Sequence, residues 1–271
     1  MSNIPLDIWM DICDIVADTN DDTTMEACAL IRPDLTAHCQ KHLFSNVTVA
    51  FRQGSSASNL CQVLEENPWL ISCIQALDFK FNKKEQFYLP TVPLLLSKCK
   101  NVPSFSIRFQ TNQDWTPSFQ SLVLGTQNAV MRFLASPTLT NVCIDGFHLP
   151  IAFIFPHIQS NLKHLEATGG SALTSGTSST WQVPSSTRSE PISLISLKAN
   201  SSMVGAVLDA KFGIDSTQSL FDFTHLETLT AFVSNNVGPV TALLRRTAQL
   251  NTFRLNLSGR LQSYLSLYRK W

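Results

Sequence analysis

From Ile74 onward, a seven-residue unit keeps returning along the chain: apolar, two spacers, apolar, spacer, apolar, spacer. Its members are Ile74/Leu77/Phe79, Val102/Phe105/Ile107, Leu139/Val142/Ile144, Leu162/Leu165/Ala167, Leu194/Leu197/Ala199, Leu226/Leu229/Ala231 and Leu250/Phe253/Leu255. Successive units start 23 to 37 residues apart. The alternation predicts a short strand with one face buried, because neighbouring strand side chains point to opposite faces. Before and between the units, residues 57–66, 89–99, 121–134, 150–160, 202–212 and 239–249 carry apolar positions at helical spacing. Gly213 behind the fifth of these segments, and Gly238-Pro239 opening the sixth, are fitting stop and start signals. A chain that alternates strand and helix predicts an α/β fold with right-handed crossovers and a stacked parallel sheet.

The first fifty residues follow a different pattern. Pro5 suits the first turn of a helix, where its missing N–H costs nothing. Ile8, Ile12 and Ile15 then recur at helical spacing, flanked by Trp9, Cys13 and Val16, as one wide apolar stripe. The turn-forming run Asp18-Thr19-Asn20-Asp21-Asp22 ends that helix. Thr23 with Glu26 predicts a capping box for a second helix through Met25, Cys28, Ala29 and Leu30, and Pro33 excludes Arg32 from it. A third helix is expected from about Leu35 to Phe44, leading into a strand-like alternation over Val47 to Phe51. The chain thus divides into a helical module, residues 1–50, and a repeat region, residues 51–271.

Both parts resemble known families. The repeat unit has the form of the L-x-x-L-x-L core of leucine-rich repeats, at irregular spacing. The asparagine that follows the core in that family is matched by Asn82 alone, three positions after Phe79. Gln110, Phe147, Gly170, Ser202, Ser234 and Ser258 stand at the later equivalents, so a degenerate, unevenly curved solenoid is expected. Ile4-Pro5-Leu6-Asp7-Ile8-Trp9, Cys28-Ala29-Leu30-Ile31 and His42-Leu43-Phe44-Ser45-Asn46-Val47-Thr48-Val49 resemble the opening and close of F-box modules of the kind found in large fungal families. That resemblance implies docking on the Skp adaptor of a cullin-RING ubiquitin ligase through Ile4, Pro5, Leu6, Ile8, Trp9, Ile12 and Leu30. The family usually carries tryptophan where this chain has Leu35. An alternative is therefore a repeat scaffold whose N-terminal module no longer binds the adaptor.

If the strand register holds, the spacers between core positions face away from the core. Asp78, Lys80, Arg108, Asp145, Glu166, Lys198, Asn200, Phe232 and Arg254 are the candidate contacts for a protein substrate on that face. Such a polar row is also what a solvated strand face needs. Residues 168–190 interrupt the repeats with a Gly/Ser/Thr-rich loop in which Trp181 alone could anchor a contact. Gly169-Gly170-Ser171 is no phosphate loop, since no G-x-x-x-x-G-K follows a strand.

Composition narrows the partners. Lys+Arg and Asp+Glu number 20 each, so no net field draws nucleic acid or an anionic membrane. No basic, then apolar, leader opens the chain, and apolar runs such as residues 92–96 and 151–155 fall far short of a membrane span of about 20 residues. The cysteines number seven and form no C-x-x-C pair. Most sit in apolar patterns, which points to a reducing cytoplasmic or nuclear compartment and makes the sequons at Asn46, Asn200 and Asn256 coincidental. Neither G-x-S-x-G nor H-E-x-x-H occurs, and the six histidines are dispersed without the Cys/His spacing typical of zinc. No catalytic group, cofactor or metal is expected, and the reading is an adaptor rather than an enzyme. The chain ends soon after its last strand core with no polar capping repeat, leaving open a closing helix over Tyr264, Leu265, Leu267 and Tyr268, or a chain that continues.

Overall fold

Each of the seven core units forms a strand at the expected place. In the computed structural model, which describes residues 4–19, 21–51, 56–82, 90–110, 116–150, 154–158, 161–170, 190–211, 219–234 and 236–257, they are β2 (Ala76–Phe81), β3 (Ser104–Phe109), β4 (Asn141–Asp145), β5 (His164–Thr168), β7 (Ser196–Asn200), β9 (Thr228–Val233) and β10 (Thr252–Leu257). An eighth strand, β1 (Asn46–Ala50), precedes them. All eight pair in parallel in chain order, β1-β2-β3-β4-β5-β7-β9-β10. The molecule is therefore α/β, with an eight-stranded parallel sheet whose strands follow chain order and skip only β6 (Ile192–Ser193) and β8 (Phe221–Asp222).

The register lines up the core positions in two rows. Val47, Leu77, Phe105, Val142, Leu165, Leu197, Leu229 and Phe253 make the first. Val49, Phe79, Ile107, Ile144, Ala167, Ala199, Ala231 and Leu255 make the second. In sequence β1 had been read with the helical module, but Phe44/Val47/Val49 has the spacing of the repeat unit, and the sheet uses it so. The large residues of the second row lie on the early strands and give way to three stacked alanines on β5, β7 and β9. Phenylalanines fill the early half: Phe51 stacks on Phe81 with ring centroids 4.7 Å apart, and Phe105 meets Phe133 at 4.8 Å.

Helices cover the core side. They are α4 (Ser56–Glu66), α5 (Thr91–Lys98), α6 (Leu124–Leu134), α7 (Ser201–Asp209) and α8 (Gly238–Leu244). Leu64, Leu95, Leu134, Val204 and Leu243 carry their buried faces into a single apolar cluster with the strands. The expected inter-strand helices form as α4 to α8; of residues 150–160 the described part has Ile154 in helical conformation, its amide donating to the Pro150 carbonyl at 3.2 Å, and then a 3₁₀ turn, Phe155–His157. Pro156 in that segment removes a backbone donor. A small two-stranded parallel sheet, β6 (Ile192–Ser193) with β8 (Phe221–Asp222), was not foreseen. The bends after β4 and β5 need glycine: Gly146 and Gly169 have φ of 77° and 74°, and a Cβ on Gly146 would lie 2.2 Å from the Phe109 carbonyl oxygen.

Three helices precede the sheet: α1 (Leu6–Asp18), α2 (Asp22–Ile31) and α3 (Pro33–Leu43). They enclose a second apolar cluster of Cys13, Met25, Cys28, Leu35 and Cys39, separate from the first. The N-cap of α2 is Asp21, whose carboxylate accepts the Thr24 amide at 3.1 Å, rather than the expected Thr23/Glu26 box. An aspartate one residue upstream of the helix competes successfully because its charge also suits the positive helix end. Arg32 is extended, as Pro33 requires, and the proline opens α3 two residues earlier than the sequence pattern had placed it. Among the described residues no helix is long and apolar enough to cross a membrane. Residues 171–189 of the Gly/Ser/Thr-rich loop, Trp181 among them, and the tail 258–271 for which a closing helix is one expectation, lie outside the described residues.

Candidate interaction surfaces

On α1 the wide apolar stripe divides into an inward and an outward set. Leu6, Trp9, Met10, Val16 and Ala17 pack with Cys13 on the three-helix core. The isoleucines turn the other way: Ile8 is 47% exposed, Ile15 is 65% exposed, and Ile12 is half-buried. Both sets recur every three or four residues, so helical period alone cannot choose the inward one. Cys13, fully buried, marks the inward side, and Trp9 packs half-buried beside it. Ile4 and Pro5, just ahead of the helix, are exposed too. On α2, Leu30 is 87% exposed and Ile31 is exposed beside it, while Met25 and Cys28 fill the interior.

Of the seven proposed docking residues, Ile4, Pro5, Ile8 and Leu30 are therefore available at the surface and Ile12 partly so. Leu6 and Trp9 are half-buried against the module's own core. Leu35 is completely buried and packs α3 against its neighbours rather than reaching outward. The exposed apolar area of the module lies instead on the isoleucines and Leu30.

The sheet face opposite the helices carries the candidate substrate residues. Register sets Asp78, Ser106, Cys143, Glu166 and Lys198 side by side across five strands, with Lys80, Arg108 and Asp145 one step along. Several of these charges pair within the face. Asp78 lies 3.4 Å from Lys80 and 3.6 Å from Arg108, whose Nε donates to Ser106 Oγ at 2.9 Å. Lys198 pairs with Glu166 at 2.6 Å, and Thr168 donates to Asp145 at 2.6 Å. Asn200 serves the backbone: its side chain donates to the Gly170 carbonyl and accepts the Met203 amide at 2.9 Å, capping α7. Beneath this network the Cys143 thiol is pushed up to about 11, by burial first and then by the Glu166 charge. Phe232 and Arg254, at the β9–β10 end, project to solvent. The same end leaves the inward residues Phe253 and Leu255 more than 40% exposed.

Two histidines that looked dispersed come together. His38 and His42 lie one turn apart on α3, and both ring Nε2 atoms meet Asp14 Oδ1 of α1, at 2.8 and 2.7 Å. Burial pulls the Asp14 carboxyl upward, but hydrogen bonds and positive charge from both imidazoles outweigh it and hold it below the usual carboxylate range. The i,i+4 spacing of the histidines was visible in sequence. The acid, 24 residues upstream of His38, was not.

The chain finds no match among protein-family models, curated proteins or solved structures.

Proposed function

We propose that this protein is a substrate-recognition adaptor of an SCF-type cullin-RING ubiquitin ligase. In this reading the three-helix module is an F-box that docks on a Skp-type adaptor, and the parallel sheet with its helices is a degenerate leucine-rich-repeat solenoid that holds a protein substrate. The observation that carries it is the unpartnered apolar surface of Ile4, Ile8, Ile15, Leu30 and Ile31 on a module this small. Exposed aliphatics on adjacent helices favour a protein partner over solvent. Strands in chain order, with helices on one face, support the repeat reading. The chain acts by raising the effective concentration of its cargo near the transfer machinery, and ubiquitin transfer itself belongs to the partners.

Co-purification of the full chain with a Skp-type adaptor tests this, with the double variant Ile8→Asp, Ile12→Asp as control. Ile8 is nearly half exposed and Ile12 lies on the same side of α1, so the variant is expected to stay folded by circular dichroism while losing the complex. No complex from a folded wild-type chain refutes the docking role and leaves a repeat scaffold with a module that does not engage the adaptor.

A further inference from the structure

We propose that Asp14, His38 and His42 form a binding site for one divalent first-row transition metal ion, with zinc the best-suited species. The donor atoms all lie within 4.8 Å of one another. Two imidazoles at i and i+4 on a helix point the same way, one turn apart. Here both Nε2 atoms converge on a single carboxylate oxygen. Two nitrogens and an oxygen make a borderline donor set, which suits zinc, nickel, copper or cobalt rather than calcium or magnesium.

Binding an ion requires side-chain adjustment around backbones that stay in place. Donor atoms around a tetrahedral zinc stand about 3.3 Å apart, given bonds of about 2.0 Å. The Asp14 contacts at 2.7 and 2.8 Å have to open by roughly half an ångström, and the two Nε2 atoms, no more than 4.8 Å apart, have to close by at most about 1.5 Å, through side-chain rotations. The backbones are already fixed, because Cys13 and Cys39, next in sequence to Asp14 and His38, are fully buried with their sulfurs 3.6 Å apart. The ligands themselves stay accessible: the Asp14 side chain is 54% exposed and those of the histidines 20% and 26%. An ion can enter, and water can complete its coordination.

In the metal-free chain each imidazole presents an Nε2–H to the carboxylate, which accepts both. When the ion arrives it takes the Nε2 lone pairs, and each neutral ring carries its proton on Nδ1 instead. A ring that was neutral only changes tautomer, a ring that was protonated also releases its second proton to solvent, and no oxidation state changes. Its effect is to join α1 to α3 through the metal, in addition to their apolar contacts.

The test uses the full chain without a histidine tag, stripped with a chelator and dialysed against Zn²⁺, with Co²⁺ as an optical probe. One ion per chain is expected, together with a thermal midpoint that rises with zinc concentration. Asp14→Asn, His38→Gln and His42→Gln should each weaken binding by more than about tenfold, the loss that even an outer-shell partner costs. His164→Gln, on strand β5, should leave it unchanged. The Co²⁺ spectrum should show ligand-field bands without thiolate charge transfer. Absence of saturable Zn²⁺ binding by the wild-type chain overturns the proposal. So does an ion retained in both histidine variants, or a thiolate band, which would assign the ion to cysteines. Should a variant fail to fold, the wild-type stoichiometry and Co²⁺ spectrum decide the matter alone.

Discussion

Phe105 and Phe253 occupy the same row of the sheet, five strands apart, and differ in what covers them. Phe105 is 1% exposed, with its ring 6.1 Å from that of Phe79 and 4.8 Å from that of Phe133. Truncating it to alanine removes the transfer energy of a buried ring and leaves a cavity between β2, β3 and α6. A fully enclosed Phe→Ala change costs about 3–5 kcal/mol, and two lost ring contacts place this one at about 4 kcal/mol. Phe253 is 43% exposed. It loses roughly half of a 2 kcal/mol transfer term and leaves no closed cavity, so Phe253→Ala should cost about 1 kcal/mol. Urea unfolding followed by circular dichroism measures both. With a slope of about 3 kcal/mol per molar, reasonable for a chain of this size, the midpoint should fall by roughly 1.3 M for Phe105→Ala and roughly 0.3 M for Phe253→Ala, at unchanged slope. Equal shifts, or a larger one for Phe253, would refute the idea that helix cover rather than strand position grades this row.

Glycines give a test of opposite signs. Gly205 sits inside α7, where an added Cβ would lie 3.6 Å from the Pro239 ring in ordinary contact, so Gly205→Ala should stabilise by about 0.5–1 kcal/mol. Gly146→Ala combines positive φ with the Phe109 carbonyl clash and should destabilise by more than about 2 kcal/mol; thermal melts of the two variants check the pair. Thiol accessibility is a third expectation. With its thiol at about 11, half-buried Cys143 is roughly one part in a thousand thiolate at pH 8, and five other cysteines are buried. Native protein should therefore take up iodoacetamide first at Cys73, read by mass spectrometry, with the other six reacting on unfolding. Rapid labelling of Cys143 would contradict its raised thiol value.

Periodicity carried most of the sheet. Seven strands lie where the apolar-x-x-apolar-x-apolar unit placed them, because a one-residue shift would move every inward side chain to the other face. The same logic would have supplied β1 through Phe44/Val47/Val49, had the strand not been grouped with the helices before it. The site residues were less legible. For α1, two interleaved apolar sets satisfy the helical period, and which one faces inward depends on α2 and α3, which lie up to 37 residues further along the chain. For the outward face, spacing identified Asp78, Arg108, Glu166 and Lys198 as polar, while their pairing came from register across β2 to β7.

The sequence by itself determined the alternation of strand and helix, the direction of the inward rows and the places where proline and glycine break elements. Those features follow from nearest-neighbour backbone geometry and from the sorting of apolar side chains away from water. Only the tertiary structure decided which isoleucines remain exposed, which charges neutralise one another, and that Asp14 meets His38 and His42. Each of these depends on the distance between residues on different elements, and local propensity places no constraint on that distance. Packing of the three-helix core around Cys13, Leu35 and Cys39 does.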